Sequence, residues 1–367
     1  MNKDVLLLVD GKHAFPSIIE SIDNAKKSIV INMFIWRDDK IGNIMLAHVK
    51  NALDRGVLVT IDKDLYGEAL EKSEETKQSM FHKKHNKSNL VKAYLVDVSQ
   101  DKPKPKGYKQ IKNDQLDDFI KHPNLTLKSN IKKSDHSKFY LIDGEVLFLG
   151  GINIEDKEIY QDLSGMVYHD YMIKITDLSI INRFKRRFYG LEKRSDADFE
   201  FIMNHKTNME IKDTFFDLID NAKKEIIITM AYMGHVGTSK RLLAASKRGV
   251  KVSILTSRCA NLQDQINKKV LSYLFKASNG TIDIHLSDKM IHSKLLIADD
   301  VSTVGSANMN RTAYRKLIEL NIYTKDLDFK SKLIASRDKE INLATKVVSL
   351  KQLKYKKFTA FLESFAV

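Results

Sequence analysis

Short apolar runs rich in β-branched residues alternate along this chain with longer stretches whose apolar positions recur at helical spacing. Val5 to Val9 reads as a first strand, and Ser28 to Trp36 as another. The stretch from Leu46 to Arg55 has helical spacing, ends at Gly56 as a C-cap, and leads into a strand that begins at Val57. Regular alternation of helix and strand predicts an α/β fold.

The same series returns in the second half. Ile22-Asp-Asn-Ala-Lys-Lys27 recurs as Ile219-Asp-Asn-Ala-Lys-Lys224, each followed by an apolar strand, the second from Glu225 to Met233. Leu242 to Arg248-Gly249-Val250 repeats the helix, cap and strand. His136-Ser-Lys138 with Asp143 is matched by His292-Ser-Lys294 with Asp299, a doubled His-x-Lys-x-x-x-x-Asp pattern. Two lobes follow, expected at 1–200 and 201–367, joined where the almost wholly polar run Glu192 to Asp198 begins a break near 192–208.

The offset between copies falls from 193 residues at Gly56/Gly249 to 156 at His136/His292, so the first copy carries about 40 extra residues within roughly 64–133. From His82 to Lys133, 13 lysines stand against 5 aspartates, which is +8 of the chain's +14, and three of the four prolines lie there. This composition reads as a solvated surface loop, with a phosphate-attracting rim as the functional alternative.

A net charge of +14 and a pI near 9.4 favour an anionic partner, either nucleic acid or an anionic membrane surface. Cys259 is the only cysteine, which excludes an intramolecular disulfide and any cysteine-based zinc cluster and fits a reducing compartment. The apolar run at the N-terminus is too short for a signal peptide, and no segment approaches a membrane-spanning length. A cytoplasmic protein is expected, with membrane contact confined to the periphery of the inner face. The tail with Leu350, Leu353, Phe358, Phe361, Leu362 and Phe365 among lysines reads as an amphipathic helix that docks on the protein's own core, or on a membrane.

Each signature continues into residues of β propensity, so His136 and Lys138 share a face, as do His292 and Lys294. Asp143 and Asp299 belong to the candidate catalytic set by motif, yet alternation turns them to the opposite side, a structural position. Phosphodiester cleavage needs positive groups at the non-bridging oxygens and a proton for the departing alkoxide, which two lysines and two histidines supply. One imidazole attacks phosphorus, the other protonates the leaving oxygen, and a covalent phosphohistidine results with no metal or other cofactor. A carboxylate on the far ring nitrogen would hold each imidazole. Asp170 and Glu319, on apolar strands downstream of the two signatures, are the candidates, with the pairing left open. Zinc ligation by the two histidines lacks a third ligand at suitable spacing.

These residues resemble the phospholipase D superfamily, whose hallmark is the doubled signature. Gly150-Gly-Ile-Asn153, Gly305-Ser-Ala-Asn308-Met-Asn-Arg311 and Glu319-Leu-Asn321 are similar to the pattern of bacterial cardiolipin synthases, as are Asp10-Gly11 to Pro16, Phe34-Ile-Trp36 and Asp64-Leu-Tyr-Gly67. Transmembrane helices common among those enzymes are absent, and Tyr168 stands where Trp is common. The resemblance implies two α/β/α sandwich lobes related by a pseudo-twofold axis with the active site at their interface. It also implies that Lys138, Lys294, Asn153 and Asn308 contact the phosphoryl oxygens with Ser306 nearby, and that His136 is the nucleophile and His292 the acid. The implied activity is phosphatidyl transfer between phospholipids such as two phosphatidylglycerols, releasing glycerol. The alternatives are a hydrolytic phospholipase D and a metal-independent phosphodiesterase acting on nucleic acid.

Overall fold

The computed structural model describes residues 4–72, 79–82, 87–88, 91, 113, 116–129, 134–161, 166–205 and 208–366. Most of the basic insertion, including Pro103 and Pro105, lies outside these residues. The chain divides into two compact units. One comprises Asn2–Val167 with Met172–Arg183, and the other comprises Tyr168–Tyr171 with Phe184–Val367.

The first unit is built on a seven-stranded sheet. Its order is Val5–Val9, Tyr171–Ile175, Val146–Gly150, Phe139–Ile142, Ser28–Met33, Leu58–Lys63 and Leu125–Lys128. Ser28–Met33 pairs parallel to Leu58–Lys63 and antiparallel to Phe139–Ile142, the strand that continues the first signature. Helix Gly11–Asn24 buries Ala14, Phe15, Ile18 and Ile22, the i, i+3/i+4, i+7 stripe of an amphipathic helix, in a core with Ile29, Ile31 and Val59.

The second unit holds a nine-stranded sheet. Seven of its strands, Phe199–His205, Glu319–Thr324, Val301–Gly305, Lys294–Ala298, Glu225–Met230, Lys251–Ser257 and Asp283–Ser287, follow the same order as the seven above. Short edge strands Asn208–Met209 and Thr345–Lys346 flank them. The duplication read in the sequence is therefore a duplication of sheet topology. Helix Glu210–Asn221 buries Ile211, Phe215 and Ile219, repeating the first unit's helix.

Helices Lys40–Asp54 and Val236–Lys247 end on the two glycines expected as caps. Gly56 has φ +90° and Gly249 φ +87°, with open space where a Cβ would stand. The left-handed backbone, rather than crowding, is what asks for glycine at both places.

Signature aspartates Asp143 and Asp299 clamp the turn that precedes the central strand of each sheet. Asp143 accepts the backbone N–H groups of Lys26, Lys27 and Ser28 at 2.9, 2.7 and 2.9 Å. Asp299 accepts those of Lys223, Lys224 and Glu225 at 2.8, 2.8 and 3.0 Å. The two repeated sequence motifs, Ile-Asp-Asn-Ala-Lys-Lys and the signature, are thus held together by one carboxylate in each copy. Burial raises the pKa of both aspartates, but the three N–H groups outweigh it and hold them below the ordinary carboxylate value. Both carboxylates are thus engaged as turn clamps, from left-handed positions (φ +52° and +49°) just past the ends of strands Phe139–Ile142 and Lys294–Ala298.

The C-terminal stretch forms helix Lys357–Ala366, which packs on helix Asp264–Ala277. Ala360 is fully buried and Glu363 accepts the Ile266 N–H at 2.7 Å, whereas Phe358, Phe361 and Leu362 are exposed. The tail therefore docks on its own unit and still presents apolar side chains to solvent. Among the described residues no helix is long and apolar enough to cross a membrane.

Candidate active site

In the second unit, the signature precedes and enters strand Lys294–Ala298, whose first residue pairs with Met230. His292 is buried, and its Nδ1 lies 2.8 Å from Asp170 Oδ2. Asp170 is fully buried, accepts the Tyr171 N–H at 2.8 Å, and stands 3.5 Å from Lys294 Nζ. Burial raises the carboxyl's pKa, but Lys294 and His292 outweigh it and hold it below its ordinary value. An ionised Asp170 is acceptor-only, which places a proton on Nδ1 and the ring's lone pair on Nε2.

Asp170 reaches this place because residues 168–171 belong to the second unit. Tyr168–His169 pairs parallel with Met290–Ile291, and the His169 carbonyl accepts the N–H groups of His292 and Ser293 at 2.9 and 3.1 Å. The Ser293 hydroxyl donates to the same oxygen at 2.9 Å. The Tyr168 ring lies 5.3 Å from the His292 imidazole. Three backbone or hydroxyl donors on one carbonyl fix the segment that carries Asp170 against the segment that carries His292.

Glu319 occupies the equivalent position in the second copy by register. Gly150 pairs with Met172 and Gly305 with Asn321, so Asp170 and Glu319 each lie two residues before matched positions. Glu319 is buried and its Oε2 accepts the Ser306 hydroxyl at 2.5 Å. Ser306 Oγ in turn accepts the Leu320 N–H at 2.9 Å. Ser306, expected near the phosphoryl group, thus commits its single hydroxyl proton to Glu319. Gly305 permits this closeness, because a Cβ there would lie 2.2 Å from the Leu320 carbonyl oxygen.

Asn308 is buried, and its Oδ1 has no hydrogen-bond partner among the described residues. Met309, next to it, exchanges backbone bonds with Tyr232 and His235, at 3.0 and 3.1 Å.

In the first unit, His136 and Lys138 stand directly before strand Phe139–Ile142. Lys138 Nζ donates to the His136 carbonyl at 2.6 Å, and Lys294 Nζ makes the same bond to the His292 carbonyl. Each signature lysine is therefore anchored to the backbone of its own histidine. Phe34 packs its ring 4.7 Å from the His136 imidazole and 5.2 Å from Lys138 Nζ. Asp64 accepts the Asp135 N–H at 2.9 Å and the Tyr66 N–H at 2.6 Å, tying the Asp64–Gly67 loop to the signature. Asp135, fully buried beside His136, is raised by burial to about 6, reinforced by Asp64 and Asp62 and opposed by its bonds from Ser137. Asn153 donates to Glu155 Oε1 at 3.3 Å, and its Oδ1 has no hydrogen-bond partner among the described residues.

Two buried ion pairs supporting this loop were not foreseen. Arg37 Nε lies 2.7 Å from Glu155, and Lys63 Nζ 2.9 Å from Glu71. Glu71 also accepts the Trp36 N–H at 2.7 Å, and Lys63 donates to the Phe34 carbonyl at 2.8 Å. Burial raises the pKa of Glu71, but Lys63 and His82 bring it down to about 2. The pairs brace Phe34–Trp36, the strand end that flanks His136. Charged residues scattered over more than a hundred positions gave no local pattern from which to pair them. His82 is buried and bonded to the Ser129 carbonyl.

Residues 18–191 and 215–340 match the protein family described as "Cardiolipin synthase, PLD-like domain". Cardiolipin synthase of Clostridium perfringens strain SM101 is 26% identical over 375 residues, covering 94% of this chain and 71% of that protein. Cardiolipin synthase B of Escherichia coli K12 is 23% identical over 352 residues, covering 90% and 78%. Among solved structures, a phosphatidylserine synthase from Haemophilus influenzae Rd KW20 superposes with a TM-score of 0.70 at 14% identity, covering all of this chain and 93% of that one. A polyphosphate kinase from Porphyromonas gingivalis shares the fold at a TM-score of 0.60 and 12% identity, with 99% of this chain and 52% of that one covered. The match across most of the chain, joined to the doubled signature and its repeated sheet, makes this protein an enzyme of the phospholipase D superfamily that belongs to the cardiolipin synthase PLD-like domain family.

Proposed function

We propose that the protein transfers a phosphatidyl group from one phosphatidylglycerol to the terminal hydroxyl of another, forming cardiolipin and releasing glycerol. The observation that carries this reading is the buried Asp170–His292–Lys294 arrangement within a chain whose similar relatives are cardiolipin synthases.

One signature histidine attacks phosphorus through Nε2. The phosphorus–oxygen bond to the glycerol head group breaks, and the departing alkoxide takes a proton from the other histidine. The second lipid's hydroxyl then returns a proton to that histidine and attacks phosphorus, and the phosphorus–nitrogen bond breaks. Lys138 and Lys294 neutralise the non-bridging oxygens. Asp170, ionised and bonded to Nδ1 of His292, stabilises positive charge on that ring in either role. By family analogy His136 is the nucleophile and His292 the acid, with Asn153 and Asn308 against the phosphoryl group. The site works at the inner face of the cytoplasmic membrane, where its net positive charge favours anionic lipid.

The test is mass spectrometry of products after incubation with vesicles of labelled phosphatidylglycerol. Cardiolipin and free glycerol are expected in equal amounts, with an acid-labile phosphatidyl adduct on one signature histidine in quenched samples. Phosphatidic acid as the product at all lipid densities would instead establish a hydrolase. Cleavage of plasmid DNA with no lipid turnover would overturn the lipid reading.

A further inference from the structure

Within the second unit, helices Val236–Lys247, Asp264–Ala277 and Lys357–Ala366 border an open cavity of about 600 Å³. That volume lies within the range of roughly 300–1,000 Å³ usual for small-molecule sites. No role in phosphoryl transfer accounts for it. Val236, Ile266, Val270 and Tyr273 give it an apolar lining, and Val236 and Tyr273 are exposed at 64% and 45%. Large apolar side chains left open to solvent around a cavity point to an apolar ligand.

Three cations stand in the rest of the lining. Lys240, Lys269 and Arg311 border the cavity, all three exposed, and none forms a salt bridge among the described residues. Among the described residues no carboxylate lines it. The acidic groups nearest in sequence are already engaged: Asp264 with Lys268 at 2.6 Å, and Glu363 with the Ile266 N–H. His235, also in the lining, accepts the Thr238 N–H on Nδ1, and burial together with Arg315, Lys212, Arg241 and Arg311 lowers its pKa. With Nδ1 accepting that bond, the ring proton of His235 sits on Nε2 as a donor.

One wall adjoins the reacting groups through the chain. Arg311 follows Asn308 by three residues, and the His235 N–H donates to the Met309 carbonyl at 3.1 Å. Asn310 caps the short helix that Arg311 begins, accepting the Ala313 N–H at 2.8 Å.

We propose that this cavity binds an anionic phospholipid, seating part of an acyl chain against Ile266, Val270 and Tyr273 and its phosphate among Lys240, Lys269 and Arg311. An apolar lining with unpaired cations at its border fits an amphiphile with a negative head, and neither a free sugar nor a neutral lipid would use both. The choice of a phospholipid over another anionic amphiphile rests on the phosphatidyl-transfer reading.

The probe is phosphatidylglycerol with a diazirine in one acyl chain, irradiated with full-length His292→Ala protein so that turnover does not consume it. Peptide mass spectrometry should find label on 264–277. Labelling should fall at least fivefold in Lys240→Glu/Lys269→Glu and in Tyr273→Ser, whose exposed positions keep the fold, as an unchanged melting temperature would verify. Excess short-chain phosphatidylglycerol should compete, whereas glycerol 3-phosphate and phosphatidylcholine should compete at least tenfold less well. Label absent from 264–277, or undiminished in both variants, overturns the proposal. Equal competition by glycerol 3-phosphate would reduce the cavity to an anion site, and displacement by single-stranded oligonucleotide at lower concentration than lipid would assign it to nucleic acid; either result also overturns it. Wild-type turnover of phosphatidylglycerol is measured in parallel, so transfer without labelling discards the cavity and leaves the transferase reading standing.

Discussion

The carboxylate of Asp170 lies 2.8 Å from Nδ1 of His292 although 122 residues separate them in sequence. The same carboxylate stands 3.5 Å from the fully buried Lys294. Asp170→Asn should therefore lower the rate of phosphoryl transfer about 10³- to 10⁴-fold, as loss of the orienting carboxylate does in histidine-dependent hydrolases. It should also destabilise the protein by on the order of 3 kcal/mol, because a buried ammonium loses its counter-charge. Single-turnover rates and urea unfolding measure the two effects separately. A variant within tenfold of wild type in rate would show that the carboxylate only pairs with Lys294.

His136→Ala and His292→Ala should each reduce turnover to background and leave the melting temperature within a few degrees, since neither ring anchors a core. Activity should persist in EDTA. Inhibition by the chelator that zinc reverses would contradict attack by an imidazole.

Ser306 and Glu319 offer a different kind of test, because Ser306 acts through its partner. Ser306→Ala removes the 2.5 Å bond to Glu319 and should lower turnover about tenfold with little change in KM. Gly305→Ala should do more damage, since its Cβ would displace the Leu320 backbone. Steady-state kinetics on lipid vesicles would separate these, and an effect on KM alone in Ser306→Ala would assign the serine to substrate binding.

The turn clamps give a pH signature of stability. The folded-state pKa of Asp143 and of Asp299 lies below the ordinary value of 3.8, so the stabilisation is present above that pH and is lost as pH falls through the lower folded value. Asp143→Ala should cost about 1–2 kcal/mol at pH 7, comparable to losing a helix cap. Urea midpoints of wild type and variant should converge below pH 3.8. A gap independent of pH would mean that the clamp does not depend on charge.

The doubled signature, the repeated hexapeptide and the Gly caps were legible because each depends on residues close together in sequence, and together they disclosed the repeated α/β architecture. Strand alternation gave Asp143 and Asp299 a structural expectation, but what they hold became visible only with the backbone N–H groups in place. Equivalence of Asp170 and Glu319 followed from their strands. Their partners did not, because the Asp170–His292 contact depends on a four-residue excursion, 168–171, that packs apart from its sequence neighbours. The Ser306–Glu319 bond was hidden for a related reason: a hydroxyl beside a phosphate motif has the same sequence signal whether its proton goes to substrate or to a buried carboxylate. The Arg37–Glu155 and Lys63–Glu71 pairs leave no periodic trace at all.

The placement of residues 168–171 has a consequence for the history of the chain. A duplicated gene ordinarily leaves two copies free to separate again, or to let one decay. Here the carboxylate bonded to the second copy's histidine is encoded within the first copy. Once that exchange was fixed, a deletion or fission at the midpoint would strip His292 of its partner while leaving every residue of the second signature intact. The second signature thus depends for a hydrogen-bond partner on a stretch of coding sequence that lies ahead of its own copy.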